Sequence, residues 1–524
     1  MKASEKTPDR ELTFAYFKQD LQAGLIVFLI ALPLCLGIAL ASGAPLFSGI
    51  VSGIIGGAVV AFLSGSQLAV SGPAAGLTVI ILSAIEKLGS FEAFLVAVVI
   101  CGVLQLVLGF VKAGIVSDYF PSSVIKGMLA AIGIILIIKQ IPYVIGKEEA
   151  FFEGISFIQL NKEVDFFTTI IDSIHFGALS IAVVSLLILT LWPSVKSKFL
   201  LKIPAPLLAV FSGVCLNQLF LLSKNENWYL STQQLVSIPV ASGLADFLTF
   251  LTLPDWSALA HVDVYIIAIT LTVVASLETL LSVKAIDKLD VRKRTTPTNR
   301  ELKAQGIGNI LSGLIGGLPM TAVIVRGSVN INSGAQTKLA AFIHGMLLFL
   351  AVLFFARWIN YIPYASLAAI LLVTGYKLVN AGLFKQMWKT GKDQFVPFII
   401  TIIAILLTDL LVGIGVGMAV GIIFILKRNM ENSHIQSYVE DTTQRPITLL
   451  LSEEVSFLNK ANVMLFLEKV PEDRHLIIDA SKSYYIDPDV IEAIYEFVRE
   501  TAPYKNIKVD LINIERFIRE NPLK

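Results

Sequence analysis

Fourteen apolar runs follow one another, at about 21–41, 47–63, 74–86, 91–111, 124–138, 176–192, 205–221, 262–282, 302–317, 323–331, 339–356, 365–376, 395–411 and 412–427. Most are long enough to cross a hydrocarbon core of about 30 Å as helix. Composition agrees: 55% of residues are hydrophobic and 15% charged, against about 25% charged in soluble domains. The pattern predicts a polytopic α-helical membrane protein with the lipid bilayer as its main partner. A formal net charge of +1 supplies no field that would draw nucleic acid.

Two short runs read as half-spans, the third and the tenth. Each follows a Gly/Pro-rich break, "AVSGPAAG" at 69–76 and "GGLPMTA" at 316–322. They hold the same place in the first seven runs and in the second seven. Seven is odd, so a repeat of seven is inverted. Paired interrupted segments in two halves point to a substrate site built from half-helices. The plainer reading is that Gly and Pro are common in membrane helices, but it does not explain the matching positions.

Lysine and arginine orient the chain. With the N-terminus inside, inner loops hold Lys112, Lys126, Lys196, Lys198, Lys202, Lys284, Lys288, Arg292, Lys293, Arg294, Arg300, Lys303, Lys377, Lys385, Lys389 and Lys392. The long outer loops, about 139–175 and 222–261, carry Glu148, Glu149, Glu153, Glu163, Asp165, Asp172, Glu226, Asp246 and Asp255. This obeys the positive-inside rule and puts both termini in the cytoplasm. The expected division is a cytoplasmic N-terminus at 1–20, repeat one at 21–221, an extracytoplasmic loop at 222–261, repeat two at 262–428, and a cytoplasmic domain at 429–524. In that last part strands alternate with helices: "RPITLLL", "HLIIDA" and "NIKVDLINI" read as strands, and 488–499 as a helix with apolar Val490, Ile491, Ile494, Tyr495 and Val498. This is a small α/β domain. The polar start has no cleavable signal.

Enzyme chemistry finds no footing. Cys35, Cys101 and Cys215 lie in apolar runs as expected core residues, and His175, His261, His344, His434 and His475 form no ligand-spaced cluster. No nucleophile–base pair or phosphate loop stands out. No cofactor is expected beyond a coupling Na⁺.

Two intramembrane charges carry the functional reading. Helix N-termini offer unpaired N–H groups and partial positive charge, so two half-helices can hold an anion by backbone donors. That places the anion on Ala74, Ala75, Gly76 and Thr78 in the third run, and on Ala322, Val323 and Ile324 in the tenth, with Thr321 a second hydroxyl. Arg326, just past the second break, adds positive potential or else pairs to hold the tenth run. Glu278 stands inside "VVASLETLLSVKAID" one turn before Ser282, on the same face. It could bind a coupling Na⁺ with Ser282, Met320, Thr321 and unwound carbonyls near Leu318. It could instead carry a proton, because a buried carboxyl resists bare charge, or pair with Arg326 or cap a broken helix. Gln105, Asn309 and Asn330 read as interhelical ties. Asp409 reads as structural, and Lys284, Asp287, Lys288 and Arg292 as a solvated loop.

"SLETLLSVKAID", "TNRELKAQGIGNILSGLIGGLPMTAVIVRGSVNINSGAQTKLAA", "AVSGPAAG" and the terminal "IIDASKSYYID" resemble the SulP (solute-carrier-26-like) inorganic anion transporters. Asn299, Glu301, Gln305, Gly306, Asn309, Gly313, Gly316, Gly317, Pro319, Arg326 and Asn330 carry the likeness. It implies two inverted seven-span repeats with core and gate domains and two half-helices, elevator-like transport, a homodimer, and a STAS-like terminal domain. "ALPLCLGIALASG" has Leu34 where sulfate-type members have Gln and looks more like the bicarbonate-type members. Those place Asp and Thr where this chain has Glu278 and Ser282. Asp489 falls where signalling STAS proteins carry a phosphorylated Ser, so phosphorylation there is not expected. The expected function is secondary transport of bicarbonate or sulfate across the cell (inner) membrane, coupled to Na⁺ or H⁺, with a carbonic anhydrase as a candidate partner. Alternatives on the same scaffold are a passive chloride or anion channel, an exchanger or motor, and a nucleobase permease.

Overall fold

The structure is a computed structural model. It describes residues 14–118, 120–147, 174–195, 203–223, 228–379, 381–408, 410–431, 434–437 and 446–520. Glu148, Glu149, Glu153, Glu163, Asp165, Asp172, Lys196, Lys198, Lys202, Glu226 and Asp409 lie outside the described residues.

Each of the fourteen apolar runs forms a helix. They are α1 (Phe17–Ala41), α2 (Leu46–Leu63), α3 (Thr78–Leu88), α4 (Phe91–Phe110), α5 (Ser122–Val144), α6 (Phe176–Leu191) and α7 (Ala205–Ser223). Then come α8 (Val262–Leu289), α9 (Thr298–Leu314), α10 (Ile324–Asn332), α11 (Leu339–Ile359), α12 (Tyr364–Val379), α13 (Lys392–Leu407) and α14 (Leu410–Glu431). Among the described residues, ten helices are long and apolar enough to cross a membrane. Two of these spans run past the helices named above, to Ser194 beyond α6 and to Thr390 beyond α12, while α3, α9, α10 and α13 fall below that length.

The chain divides into two units, Met1–Gln386 with Thr401–Ile414, and Met387–Ile400 with Gly415–Lys524. In the first, small residues let helices approach closely. A Cβ on Gly102 of α4 would stand 2.6 Å from the Gly306 carbonyl of α9, and one on Gly306 2.7 Å from the Gly102 carbonyl. Backbones this near allow short side chains to bond between helices. Asp20, fully buried in α1, accepts the Gln336 N–H at 2.7 Å and the Thr337 hydroxyl at 2.6 Å, so it caps the approach to α11.

α1 starts at Phe17, ahead of the apolar run read from 21, and takes in Asp20. Two expectations change. Lys284, Asp287 and Lys288 continue α8 instead of forming a loop, and Asp287 accepts the Thr296 N–H and hydroxyl at 2.7 Å each. Cys35 and Cys101 are buried, but Cys215 is exposed, because α7 turns much of its apolar surface outward, where a bilayer supplies the apolar contact.

The second unit contains a four-stranded sheet. Strands β4 (Ile447–Leu451), β5 (His475–Asp479) and β6 (Lys508–Ile512) run parallel, with β3 (His434–Ser437) antiparallel at the edge beside β4. Parallel neighbours need crossovers, supplied by α15 (Lys460–Glu468) and α16 (Pro488–Glu496). Val490, Ile491 and Ile494 of α16 pack on Leu449, Leu476 and Ile478, while Tyr495 and Val498 are partly buried. Asp487 caps α16 by accepting the Asp489 N–H at 3.0 Å.

Candidate functional site

The two Gly/Pro breaks meet. Strand β1 (Ser71–Pro73) pairs antiparallel with β2 (Met320–Ala322), matching Ser71 to Ala322, Gly72 to Thr321 and Pro73 to Met320. The Val323 N–H extends the ladder to the Val70 carbonyl at 3.0 Å. All six strand residues are buried. Each strand leads at once into a helix: Ala75–Leu77 forms a 3₁₀ turn into α3, and Ile324 opens α10. Antiparallel pairing sends the two helices away in opposite directions. The residues that cap the 3₁₀ turn and α10, Ala74 and Val323, are extended and give no side-chain cap, so N–H groups such as those of Ala75 and Ile324 stay available.

One face of α9 clamps both strands. Glu301, Gln305 and Asn309 recur every four residues and share that face. The Gln305 amide donates to the Ser71 hydroxyl at 2.7 Å and to Glu301 at 3.0 Å, and Ser64 donates to Glu301. Asn309 accepts the Met320 N–H at 2.7 Å and donates to the Met320 carbonyl at 3.2 Å. It also donates to the Gln105 carbonyl oxygen at 2.7 Å, and Gln105 donates to Ser276 of α8 at 3.3 Å. Asn330 donates to the Leu68 carbonyl at 2.9 Å. Gln105 and Asn309 tie α4, α8 and α9 together, as expected of them, whereas Asn330 holds the loop before β1 and not a second helix. Each is worth about 1 kcal/mol or less in a membrane, but together they fix the crossing.

Arg326 is 1% exposed. Its Nη2 donates to the Cys35 sulfur at 3.3 Å and to the Pro73 carbonyl at 3.4 Å, while Nε and Nη1 have no partner among the described residues. The guanidinium occupies the space where a Cβ on Gly72 would stand. A charge rooted in α10 therefore sits behind the start of α3, at the other half-helix. Such a desolvated charge is costly without an anion or carboxylate nearby.

The Glu278 carboxylate does not meet Arg326. It lies against Gly76, where a Cβ would be 2.7 Å from Oε2 and 2.8 Å from Oε1, and the Gly76 N–H faces it. Oε2 has no hydrogen-bond partner among the described residues. Ser282 is buried one turn further along α8. The next residue, Thr279, accepts the Ala322 N–H at 3.3 Å.

The geometry narrows the expected donor set. The N–H groups of Ala322 and Val323 are already spent on Thr279 and Val70. The Thr78 hydroxyl donates to the Ala75 carbonyl at 2.8 Å and the Thr321 hydroxyl to the Ala322 carbonyl at 3.2 Å. Ala74 stays in the set, since the bond it accepts from Leu77 is through its carbonyl and not its N–H. The Gly76 N–H is taken by Glu278. Ala75 and Ile324 keep their place, and Val325 joins them in the first turn of α10. The carbonyls expected around a cation are also engaged: Leu318 accepts from Ser52 at 2.7 Å and Ser312 at 2.6 Å, and Met320 accepts from Asn309. Thr279, Cys35 and Ser71 were missed, because each is a small residue inside an apolar run.

The profile of the Sulfate permease family matches residues 17–401. The bicarbonate transporter BicA of Synechocystis sp. is 27% identical over 467 residues, covering 87% of this chain and 78% of its own. Sulfate transporter 4.1, chloroplastic, of Arabidopsis thaliana is 25% identical over 542 residues, covering 95% of this chain and 75% of its own. The solved transmembrane domain of a cyanobacterium bicarbonate transporter BicA matches with a TM-score of 0.64 at 26% identity, covering 77% of this chain and 98% of that one.

Proposed function

The chain belongs to the sulfate permease family, and from that premise we propose that it is a secondary transporter of a small inorganic oxyanion, bicarbonate or sulfate. The observation that carries the reading is the buried β1–β2 crossing, which presents two half-helix starts without side-chain caps and the Arg326 charge behind one of them. An anion there exchanges water for the N–H groups of Ala74, Ala75, Ile324 and Val325. Glu278, against Gly76, is the group through which Na⁺ or H⁺ is coupled. A proton is favoured by one feature: the Leu318 and Met320 carbonyls that would help hold Na⁺ already accept side-chain hydrogen bonds.

We read the fourteen helices as two inverted seven-span repeats, 21–221 and 262–428, moving as core and gate in an elevator cycle. The domain at 429–524 is read as STAS-like and cytoplasmic, in a homodimer of the cell membrane. The test is uptake of labelled bicarbonate and sulfate into proteoliposomes, with Na⁺ and pH gradients imposed separately. Saturable uptake of one anion, driven by one of the gradients, is expected. Absence of uptake under every gradient would remove the proposal, and non-saturating flux indifferent to both cations would replace it with a passive channel.

A further inference from the structure

Neighbouring residues of α8 reach different half-helices. Glu278 meets Gly76 at the start of α3, and Thr279 holds the Ala322 N–H at the end of β2. Thr279 is fully buried, and Ala322 comes just before Val323, the N-cap of α10. A second, longer tie runs from Ser276 through Gln105 and Asn309 to Met320. α8 is thus fastened to β2 at two points, while its carboxylate leans on the opposite lead-in. Any change in what Glu278 holds alters how closely α8 can stand to Gly76. The bond from Thr279 passes that shift to the backbone that aims the α10 donors.

We propose that Thr279 is a positioning residue that links the ionic state of Glu278 to the affinity of the anion site. The inference rests on the reading of Glu278 as the coupling group. Other charges on elements packed against α8 are placed elsewhere. Lys87 pairs with Asp263 at 2.7 Å at the start of α8. Glu86 and Glu92 stand at the α3–α4 turn, and Arg300, Glu301 and Lys303 lie in the first turns of α9. Arg326 turns to Cys35 and Pro73.

The test measures the anion KM of the full-length protein in proteoliposomes, at low and high Na⁺ and at two pH values. Wild type is expected to show a KM that changes on the order of fivefold or more with the coupling cation. Thr279→Val keeps the shape and removes the acceptor, so its KM should change less than about twofold over the same range. Thr279→Ser should restore the wild-type ratio. Thr279→Cys, with a weaker acceptor, should fall between them and supplies the measurement where the valine variant does not reach the membrane. A wild-type ratio in Thr279→Val or Thr279→Cys overturns the inference alone, as does a uniform loss of rate with the ratio kept. A wild-type protein whose KM ignores both cations overturns the role of Glu278 and this inference with it.

Discussion

Glu278 and Gly76 come from opposite halves of the chain and touch at the start of α3, with the carboxylate where a side chain on residue 76 would stand. A methyl group 2.7 Å from a carboxylate oxygen forces either Glu278 or the α3 turn to move. Gly76→Ala should therefore lower uptake by about tenfold or more, given how steeply misplacement of a site costs function. Adding Glu278→Asp withdraws the carboxylate by one methylene and should recover part of the loss. Equal uptake by Gly76→Ala and wild type, at matched protein density in the vesicles, would show that the contact has no functional weight.

Glu278→Gln keeps the shape and removes the charge. Concentrative uptake driven by the coupling gradient should vanish, because a neutral amide gains no charge to exchange with a cation. Exchange of labelled for unlabelled anion at equal concentrations should persist, since the half-helix donors are untouched. Accumulation above the external concentration in this variant would separate Glu278 from coupling.

Asn309 satisfies both backbone groups of Met320 and the Gln105 carbonyl oxygen. Asn309→Leu leaves them buried without partners, at about 1–3 kcal/mol for each orphaned group. The detergent-solubilised variant should lose its folded, monodisperse form at a lower temperature than wild type, and uptake should fall with it. Asn309→Asp keeps the acceptor for the Met320 N–H and should melt between the two. An unchanged melting temperature in Asn309→Leu would mean that the clamp on β2 is held by other bonds.

The fold was largely legible because apolar length and helix punctuation are local properties. The runs at 74–86 and 323–331 anticipate α3 and α10, and Gly72, Pro73 and Pro319 mark the extended backbone between them. Antiparallel pairing of two breaks some 250 residues apart is not local, so nothing in either stretch announces that Ser71 faces Ala322. For the same reason the donors spent inside the crossing, at Ala322 and Val323, looked free in the sequence. Glu278 and Arg326 were found because charge in an apolar run is conspicuous. Their partners were not: Gly76 has no side chain to read, and Cys35 and Thr279 pass as ordinary residues of a membrane helix.

Cys35 tests how much the placement of Arg326 matters. It is the side-chain partner that the guanidinium has among the described residues, through Nη2 at 3.3 Å, and it anchors the charge beside the Pro73 carbonyl. Cys35→Val fills the same space without an acceptor. The guanidinium then keeps only the carbonyl contact, and its potential at the start of α3 weakens as it shifts. The anion KM should rise by about threefold to tenfold, the worth of one ordinary hydrogen bond, because sulfur is a weak acceptor even for a guanidinium, with the saturated rate little changed. Cys35→Ser offers a better acceptor and should match wild type or bind the anion more tightly. Measuring KM and saturated rate for both variants separates this from a packing effect, because a packing defect at so buried a position would lower the rate of the serine variant too. A valine variant with wild-type KM would mean that Pro73 alone holds Arg326 in place.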